Sequence, residues 1–151
     1  MPANAYADSS FLVSIYRHDG NHAAAHVFMA KHSPVLAFLP LHRVELRNAL
    51  RFAETQGSIT AAERRGAFKQ IEQDLREGLL SHTPVAWSDI CRRADELSEK
   101  HMIKNGQRTI DLLHVAAALE SGARLFLSFD HRQRGLAKAA GLQVNSNSLS
   151  R

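Results

Sequence analysis

Four acidic side chains stand at positions from which carboxylates can act together, and they belong to Asp8, Glu45, Asp111 and Asp130. If they met in one pocket they would repel one another, by about 4 kcal/mol for a pair 4 Å apart at an effective dielectric constant near 20. Such a cluster persists only where protons or cations neutralise it. Because carboxylate oxygens are hard ligands and the set contains no Cys or His, it predicts Mg²⁺ or Mn²⁺ as the bound cation.

Two of the acids end predicted strands. Asp8 follows the apolar segment Ala5–Ala7, and Asp130 follows the mostly apolar residues 124–129. In an open parallel sheet, ligands bind beyond the carboxyl ends of the strands. Both acids are therefore expected at the edge where such a sheet builds its site.

The other two acids lie on predicted helices. Thr109 is a predicted N-cap of an almost wholly apolar helix that ends at Gly122, and Asp111 stands in its first turn. The helix dipole favours a carboxylate there by up to about 1 kcal/mol. Glu45 interrupts the apolar face of a second helix, which is predicted to run from Pro40–Thr55.

The remaining segments complete an alternation of strands and helices. Further strands are predicted at residues 35–39, 83–85 and 142–144. Further helices are predicted at residues 11–16 (capped by Ser9 or Ser10), 22–31, 61–80 (capped by Thr60), 89–100 (capped by Ser88) and 131–140. This order predicts an α/β fold, a three-layer α/β/α sandwich with a mostly parallel central sheet, in one domain spanning residues 1–151. The polar residues 145–151 are expected to form a loose tail.

Each acid also has a local structural explanation. The three aspartates can each stabilise the start of a helix, and Glu45 can pair with Arg43 or Arg47. For each residue alone the structural role is the better explanation. Only the joint occurrence of the four favours catalysis.

Four segments that carry these acids resemble the PIN-domain family, and most closely the VapC-type toxins of bacterial toxin–antitoxin pairs. They are Tyr6-Ala7-Asp8-Ser9-Ser10, Val44-Glu45-Leu46, residues 109–119 and Leu127-Ser128-Phe129-Asp130. The third segment is the most specific, and the likeness extends from the first predicted strand to the last.

The resemblance implies a metal-dependent endoribonuclease in which Mg²⁺ or Mn²⁺ activates a water for attack on an RNA phosphodiester. It implies that the four carboxylates fill the family's acid positions, with Asp8 and Asp111 as the direct metal ligands and Asp130 as the least constant member. Ser128 matches the hydroxyl residue that usually precedes the fourth acid. Ser10 is expected to orient Asp8.

The same resemblance implies a homodimer that is inhibited by a cognate antitoxin, held by the hairpin of residues 41–52 and 61–80. Two other functions stay open. One is a PIN nuclease outside toxin–antitoxin systems, for example in RNA processing. The other is a non-catalytic PIN-like module that binds RNA or a protein partner.

A basic stripe accompanies Glu45 on its helix. Arg43, Arg47 and Arg51 recur every four residues, which would suit an RNA backbone beside an acidic pocket. A solvated helix face explains the spacing equally well. The net charge of +4 over 151 residues is moderate and supports nucleic-acid binding only together with such a pattern.

The spacing of the histidines alone does not predict a zinc site. His22 and His26 stand four residues apart, but no apt third ligand accompanies them, so surface histidines are favoured over a zinc site. His114 lies one turn after Asp111, where it can donate a hydrogen bond to that acid or pack into the core.

Composition limits the remaining possibilities. With 44% apolar and 23% charged residues, the chain is typical of soluble globular proteins. Cys91 is the single cysteine, so no internal disulfide can form, and nothing near it in sequence would activate a thiolate nucleophile. The sequence shows neither a signal peptide nor an apolar run near the roughly 20 residues of a membrane span, and we expect a cytoplasmic protein with no membrane contact.

Overall fold

Strands and helices alternate along the chain, which the computed structural model describes at residues 2–101 and 107–146. The strands are β1 (Ala5–Ala7), β2 (Leu36–Phe38), β3 (Leu80–His82), β4 (Leu125–Leu127) and β5 (Gln143–Val144). The helices are α1 (Ser9–Tyr16), α2 (His22–His32), α3 (Pro40–Thr55), α4 (Ala61–Glu77), α5 (Trp87–His101), α6 (Thr109–Glu120) and α7 (His131–Ala139).

The described strands form one parallel sheet in the order β3-β2-β1-β4-β5. β1 lies in the middle, where Ala5 is opposite both Leu36 of β2 and Leu125 of β4. Since every pair is parallel, all the carboxyl ends lie along one edge. The predicted α/β fold with a parallel sheet is confirmed.

Side chains of the strands alternate between two cores, one on each face of the sheet. Tyr6 and Phe126 belong to the core that α5, α6 and α7 cover, while Ala7 and Leu127 belong to the core under α1 to α4. Every residue of β1 and β2 is buried, as expected of strands that helices cover on both sides. The architecture is therefore the predicted three-layer sandwich. Within the described part of the chain, none of the helices has the length and apolar character to cross a membrane.

Two boundaries near β3 differ from the sequence prediction. α4 ends at Glu77 rather than near Leu80, because Gly78 adopts a left-handed φ of 82° and stops the helix. The strand that follows is therefore three residues earlier than predicted, at Leu80–His82 rather than at residues 83–85. Pro84, which lacks an N–H for the ladder, falls just outside it.

Three predicted helix caps were wrong. Asp8 caps α1, rather than Ser9 or Ser10, by accepting the N–H of Phe11. α5 begins at Trp87, so that Ser88 lies inside the helix. Thr109 is likewise the first residue of α6. The N-cap is Arg108, whose side chain makes no capping hydrogen bond.

The predicted loose tail begins too early. Asn145 is only 4% exposed, and its carboxamide binds the backbone of Ser128. A short polar residue after a strand has the composition of a loop, and its long-range partner cannot be read from the neighbouring sequence. Residues 147–151 of the predicted tail lie outside the described residues.

Candidate active site

A cleft of about 440 Å³ opens at the carboxyl edge of the sheet, beyond β1 and β4. The predicted carboxylates that line it are Asp8, Glu45, Asp111 and Asp130. They come from the end of β1, the middle of α3, the first turn of α6 and the start of α7. The parallel topology therefore brings together acids that are more than 100 residues apart in sequence.

Asp8 is the most enclosed of the four carboxylates, with 3% of its surface exposed. Its Oδ1 accepts the backbone N–H of Phe11 at 2.8 Å, and its Oδ2 accepts the hydroxyl of Ser128 at 2.6 Å. Burial raises the pKa of Asp8 to about 6, although the two hydrogen bonds lower it, and nearby Asp111 raises it further. The carboxylate is thus held in one orientation, and its burial makes the charged form less stable.

This raised pKa predicts how the stability depends on pH in the absence of divalent cations. Between pH 3.8 and about 6 the folded protein keeps a proton on Asp8 that the unfolded chain releases, so this group makes the protein less stable as the pH rises through that window. Relative to Asp8→Asn, the wild type should lose on the order of 2–3 kcal/mol between pH 4 and pH 6.5. Urea unfolding in EDTA measures this, and a constant difference between the two proteins would contradict it.

Ser128, rather than Ser10, supplies the hydroxyl that binds Asp8. Ser10 lines the same cleft, but the hydrogen bonds to the Asp8 carboxylate come from Ser128 and Phe11. Ser128 is fully buried, and its Oγ also accepts the backbone N–H of Asp130 at 2.9 Å. It therefore links the ends of β1 and β4.

Glu45 is held by a chain of hydrogen bonds that joins four elements, β1, α1, α3 and α6. Its Oε1 accepts the hydroxyl of Ser9 at 2.7 Å and the Nε2–H of His114, whose Nδ1 lies 2.7 Å from the hydroxyl of Tyr6. Because an ionised carboxylate only accepts, Nε2 of His114 donates to Glu45. Of the two alternatives for His114, packing in the core is the one observed, since the residue is buried and binds Glu45 rather than Asp111. Glu45 pairs with His114 rather than with Arg43 or Arg47.

The pKa values of Tyr6 and Glu45, which both contact His114, are displaced in opposite directions. Burial raises the pKa of Tyr6 well above its usual value, so the phenol keeps its proton. Burial also raises the pKa of Glu45, but the hydrogen bonds from His114 and Ser9 outweigh it, and the pKa lies below the usual value. Glu45 therefore lines the cleft as an ionised carboxylate at neutral pH.

His42 is a fully buried residue that no sequence motif marks. Its Nδ1 accepts the N–H of Leu39 at 3.0 Å, and its Nε2 donates to the carbonyl of Ala7 at 2.9 Å. Burial lowers its pKa to about 3, so the imidazole is neutral at physiological pH. It ties the first turn of α3 to the end of β1, one residue before Asp8.

Asp111 and Asp130 serve local structure and also face the cleft. Asp111 is 9% exposed, and each of its oxygens lies 3.4 Å from a nitrogen of the exposed Arg108 guanidinium. Asp130 caps α7, accepting the N–H groups of Arg132 at 2.9 Å and Gln133 at 3.4 Å, both through Oδ1. Capping therefore does not exclude a role in the cleft.

The basic stripe of α3 has partners on α4 rather than in the cleft. Arg43 pairs with Glu72 at 2.7 Å, while the guanidinium groups of Arg47 and Arg51 lie 4.9 and 5.3 Å from the ring centre of Phe68. Among the described residues, Arg108 is the arginine that lines the cleft, and no sequence pattern marks it.

The histidines of α2 have structural partners as well. The rings of His22 and His26 lie 4.2 Å apart, and each binds a backbone carbonyl near the end of α1, that of Ser14 and that of Ile15. They join α2 to α1.

The donor set suits a hard cation, although the side chains do not already form a cage. In residues 2–101 and 107–146, no three His, Cys, Asp or Glu side chains are arranged to hold a metal ion. Mg²⁺, however, keeps several waters and is usually bound by one or two carboxylates together with substrate phosphates. Asp8 and Asp111 interact electrostatically and line one cleft, so these two acids fit such a site.

Solved structures with the same fold include proteins from three bacteria. VapBC2 from Rickettsia felis, bound to a DNA fragment from its promoter, is 12% identical with a TM-score of 0.62, covering 93% of this chain and 96% of that chain. FitAcB from Neisseria gonorrhoeae is 13% identical with a TM-score of 0.65, covering 95% and 98%. VapC20 from Mycobacterium tuberculosis, described as a sarcin-ricin loop cleaving toxin, is 18% identical with a TM-score of 0.63, covering 91% and 95%.

At these identities the likeness shows the fold alone, and a comparison with curated proteins finds no match. The sequence itself matches the PIN domain family over residues 5–139. That match runs from β1 to the end of α7 and contains all four carboxylates of the cleft. This chain therefore belongs to the PIN-domain family.

Proposed function

We propose that this protein is an endoribonuclease that depends on Mg²⁺ or Mn²⁺ and acts in the cytoplasm as the toxin of a toxin–antitoxin pair. The observation that carries the proposal is the meeting of four carboxylates in one cleft at the carboxyl edge of a PIN-domain sheet. The likeness of the fold to VapC20, described as a toxin that cleaves the sarcin-ricin loop, supports RNA as the substrate.

Asp8 and Asp111 are the residues that would hold the metal. When bound, the cation would lower the pKa of a water and neutralise charge on the phosphodiester under attack. The chain's own contribution is to fix the carboxylates beforehand, since Ser128 and the N–H of Phe11 orient Asp8 and Arg108 lies against Asp111.

Glu45 and Asp130 complete the negative wall of the cleft. Glu45 remains ionised because His114 and Ser9 donate to it. Asp130 uses only Oδ1 for capping α7, so its second oxygen can accept a hydrogen bond from a water in the cleft. Both charges would attract a cation into the site.

We propose Arg108 as a contact for the RNA backbone. Its side chain is 74% exposed at the mouth of the cleft and reaches the Asp111 carboxylate. Arg43, Arg47 and Arg51 are weaker candidates, because they already pack on α4.

Replacing Arg108 with Ala should raise the KM for RNA several-fold and reduce the dependence of log KM on log salt by about 0.7, the value for one phosphate contact on a single strand. Steady-state cleavage at 50–300 mM salt measures both. Arg124→Ala is the matched control, because Arg124 is exposed at the opposite end of β4. An equal change in both variants would show a general charge effect and would contradict the assignment.

We also propose that the protein is a homodimer whose antitoxin binds the hairpin of α3 and α4. The exposed apolar side chains Val44 and Phe52 of α3 support a protein contact there, since they are 67% and 62% exposed. The likeness of the fold to VapBC2 and FitAcB is consistent with it.

The experiment that tests the function incubates purified protein with structured and single-stranded RNA in Mg²⁺, in Mn²⁺ and in EDTA. The proposal expects cleavage with either metal and none in EDTA, restored when metal is added back. Cleavage that survives chelation would contradict the metal dependence. RNA that is bound but uncut in both metals would instead favour the non-catalytic alternative.

A further inference from the structure

Ser128 is the centre of a buried hydrogen-bond cluster that reaches two acids of the cleft. Its hydroxyl donates to Asp8 Oδ2 at 2.6 Å and accepts the N–H of Asp130 at 2.9 Å. Its carbonyl accepts from Arg134 Nη1 at 2.9 Å and from Asn145 Nδ2 at 2.8 Å. Its own N–H donates to Asn145 Oδ1 at 3.0 Å. Every polar group of Ser128 therefore has a partner.

The carboxamide of Asn145 continues the hydrogen bonding of β4 beyond the last residue pair of β4 and β5. β4 and β5 pair with Leu125 opposite Gln143 and Phe126 opposite Val144. Beyond that register, a side chain rather than the backbone of β5 binds both the N–H and the carbonyl of Ser128. The amide thus extends the pairing of β4 by two bonds at the residue whose hydroxyl reaches Asp8.

The carboxamide of Asn145 satisfies both backbone groups of Ser128. The N–H requires an acceptor and the carbonyl requires a donor, and Asn145 presents one of each on a planar group. Aspartate would set an oxygen against the carbonyl, and alanine would leave both groups of a fully buried residue without this partner. The position of Ser128, and with it the orientation of Asp8, therefore depends on which residue stands at position 145.

We infer that Asn145 is a positioning residue for the metal site, which acts by fixing the backbone of Ser128 so that its hydroxyl holds Asp8 in the orientation that binds the cation. The inference rests on the proposed function, since it takes Asp8 as a metal ligand. It assigns a role in the site to a residue that contacts neither the cleft nor the proposed ligands directly.

The test compares Asn145→Ala, Asn145→Asp, Ser128→Ala and the double variant Ser128→Ala/Asn145→Ala. Calorimetric titration gives the affinity for Mn²⁺, and steady-state cleavage gives kcat and KM for RNA. Loss of a group that orients a metal ligand typically costs 10–100-fold, so each single variant should bind Mn²⁺ about tenfold more weakly and lose kcat, with KM changed less than about twofold. The double variant should be no weaker than Ser128→Ala, because residues that act through one another are not additive.

Asn4→Ala is the matched control, since Asn4 also binds a strand-end backbone through its amide, accepting the N–H of Val35 at 3.0 Å, but at the opposite end of the sheet. It should keep the wild-type affinity and kcat, whatever it costs in melting temperature. Wild-type Mn²⁺ affinity in the Asn145 variants, or losses that multiply in the double variant, would overturn this inference while the proposed function stands. A wild type that neither binds Mn²⁺ nor cuts RNA would overturn both.

Discussion

Asp8→Asn should lower the rate of metal-dependent RNA cleavage by at least about 10³-fold. The substitution keeps the size of the side chain and can still accept the N–H of Phe11, but it removes the negative charge proposed to hold the cation. A metal ion contributes several kcal/mol to such a reaction, and about 4 kcal/mol corresponds to a factor of 10³. Single-turnover cleavage of a labelled RNA at saturating Mn²⁺ measures the loss.

Unfolding would not explain that loss. Burial raises the pKa of Asp8 to about 6, so its charge at pH 7.5 destabilises the metal-free fold. The Asn variant should therefore melt at the same temperature as the wild type in EDTA, or higher. Activity within tenfold of the wild type would exclude Asp8 as a metal ligand.

His42→Ala should produce the largest loss of stability among single substitutions near the site. The imidazole is fully buried and satisfies the N–H of Leu39 and the carbonyl of Ala7. Its removal leaves two buried backbone groups unpaired, at about 1–3 kcal/mol each, and opens a cavity. We expect a loss of about 3–5 kcal/mol in the free energy of unfolding, measured with urea at pH 7.5.

The pH dependence gives a second measure of the same residue. The unfolded chain protonates His42 near pH 6.5 and the folded chain only near pH 3, so this group costs stability as the pH falls through that window. His82→Ala is the control, because His82 is an exposed residue at the end of β3. A loss below about 1 kcal/mol in His42→Ala, or one no larger than in the control, would contradict the proposed tie between α3 and β1.

The sequence was most informative where chemistry follows from topology. Parallel strands place their carboxyl ends along one edge, so Asp8 and Asp130 could be predicted to lie near each other. Asp111 followed from its place in the first turn of a buried helix, and Glu45 from being an acid on an apolar face. All four line one cleft.

What the sequence could not reveal depends on long-range packing. The sequence does not show whether Tyr6, His42 and His114 are ordinary core residues or hydrogen-bonding partners of the site. Their hydrogen bonds, which hold Glu45 and the end of β1, form only when the fold brings β1, α3 and α6 together. Asn145 was mistaken for part of a loose tail for the same reason. The end of α4 was different, because Gly78 was a visible stop signal that the longer apolar pattern obscured.

The most direct test of the shared cation is a crystal structure of the protein grown with Mn²⁺ and measured for anomalous scattering. We expect an anomalous peak in the cleft, within coordination distance of carboxylate oxygens of both Asp8 and Asp111, that disappears in Asp8→Asn. A fully occupied peak elsewhere, or a cleft without one at millimolar Mn²⁺, would contradict the claim that these carboxylates form a metal site.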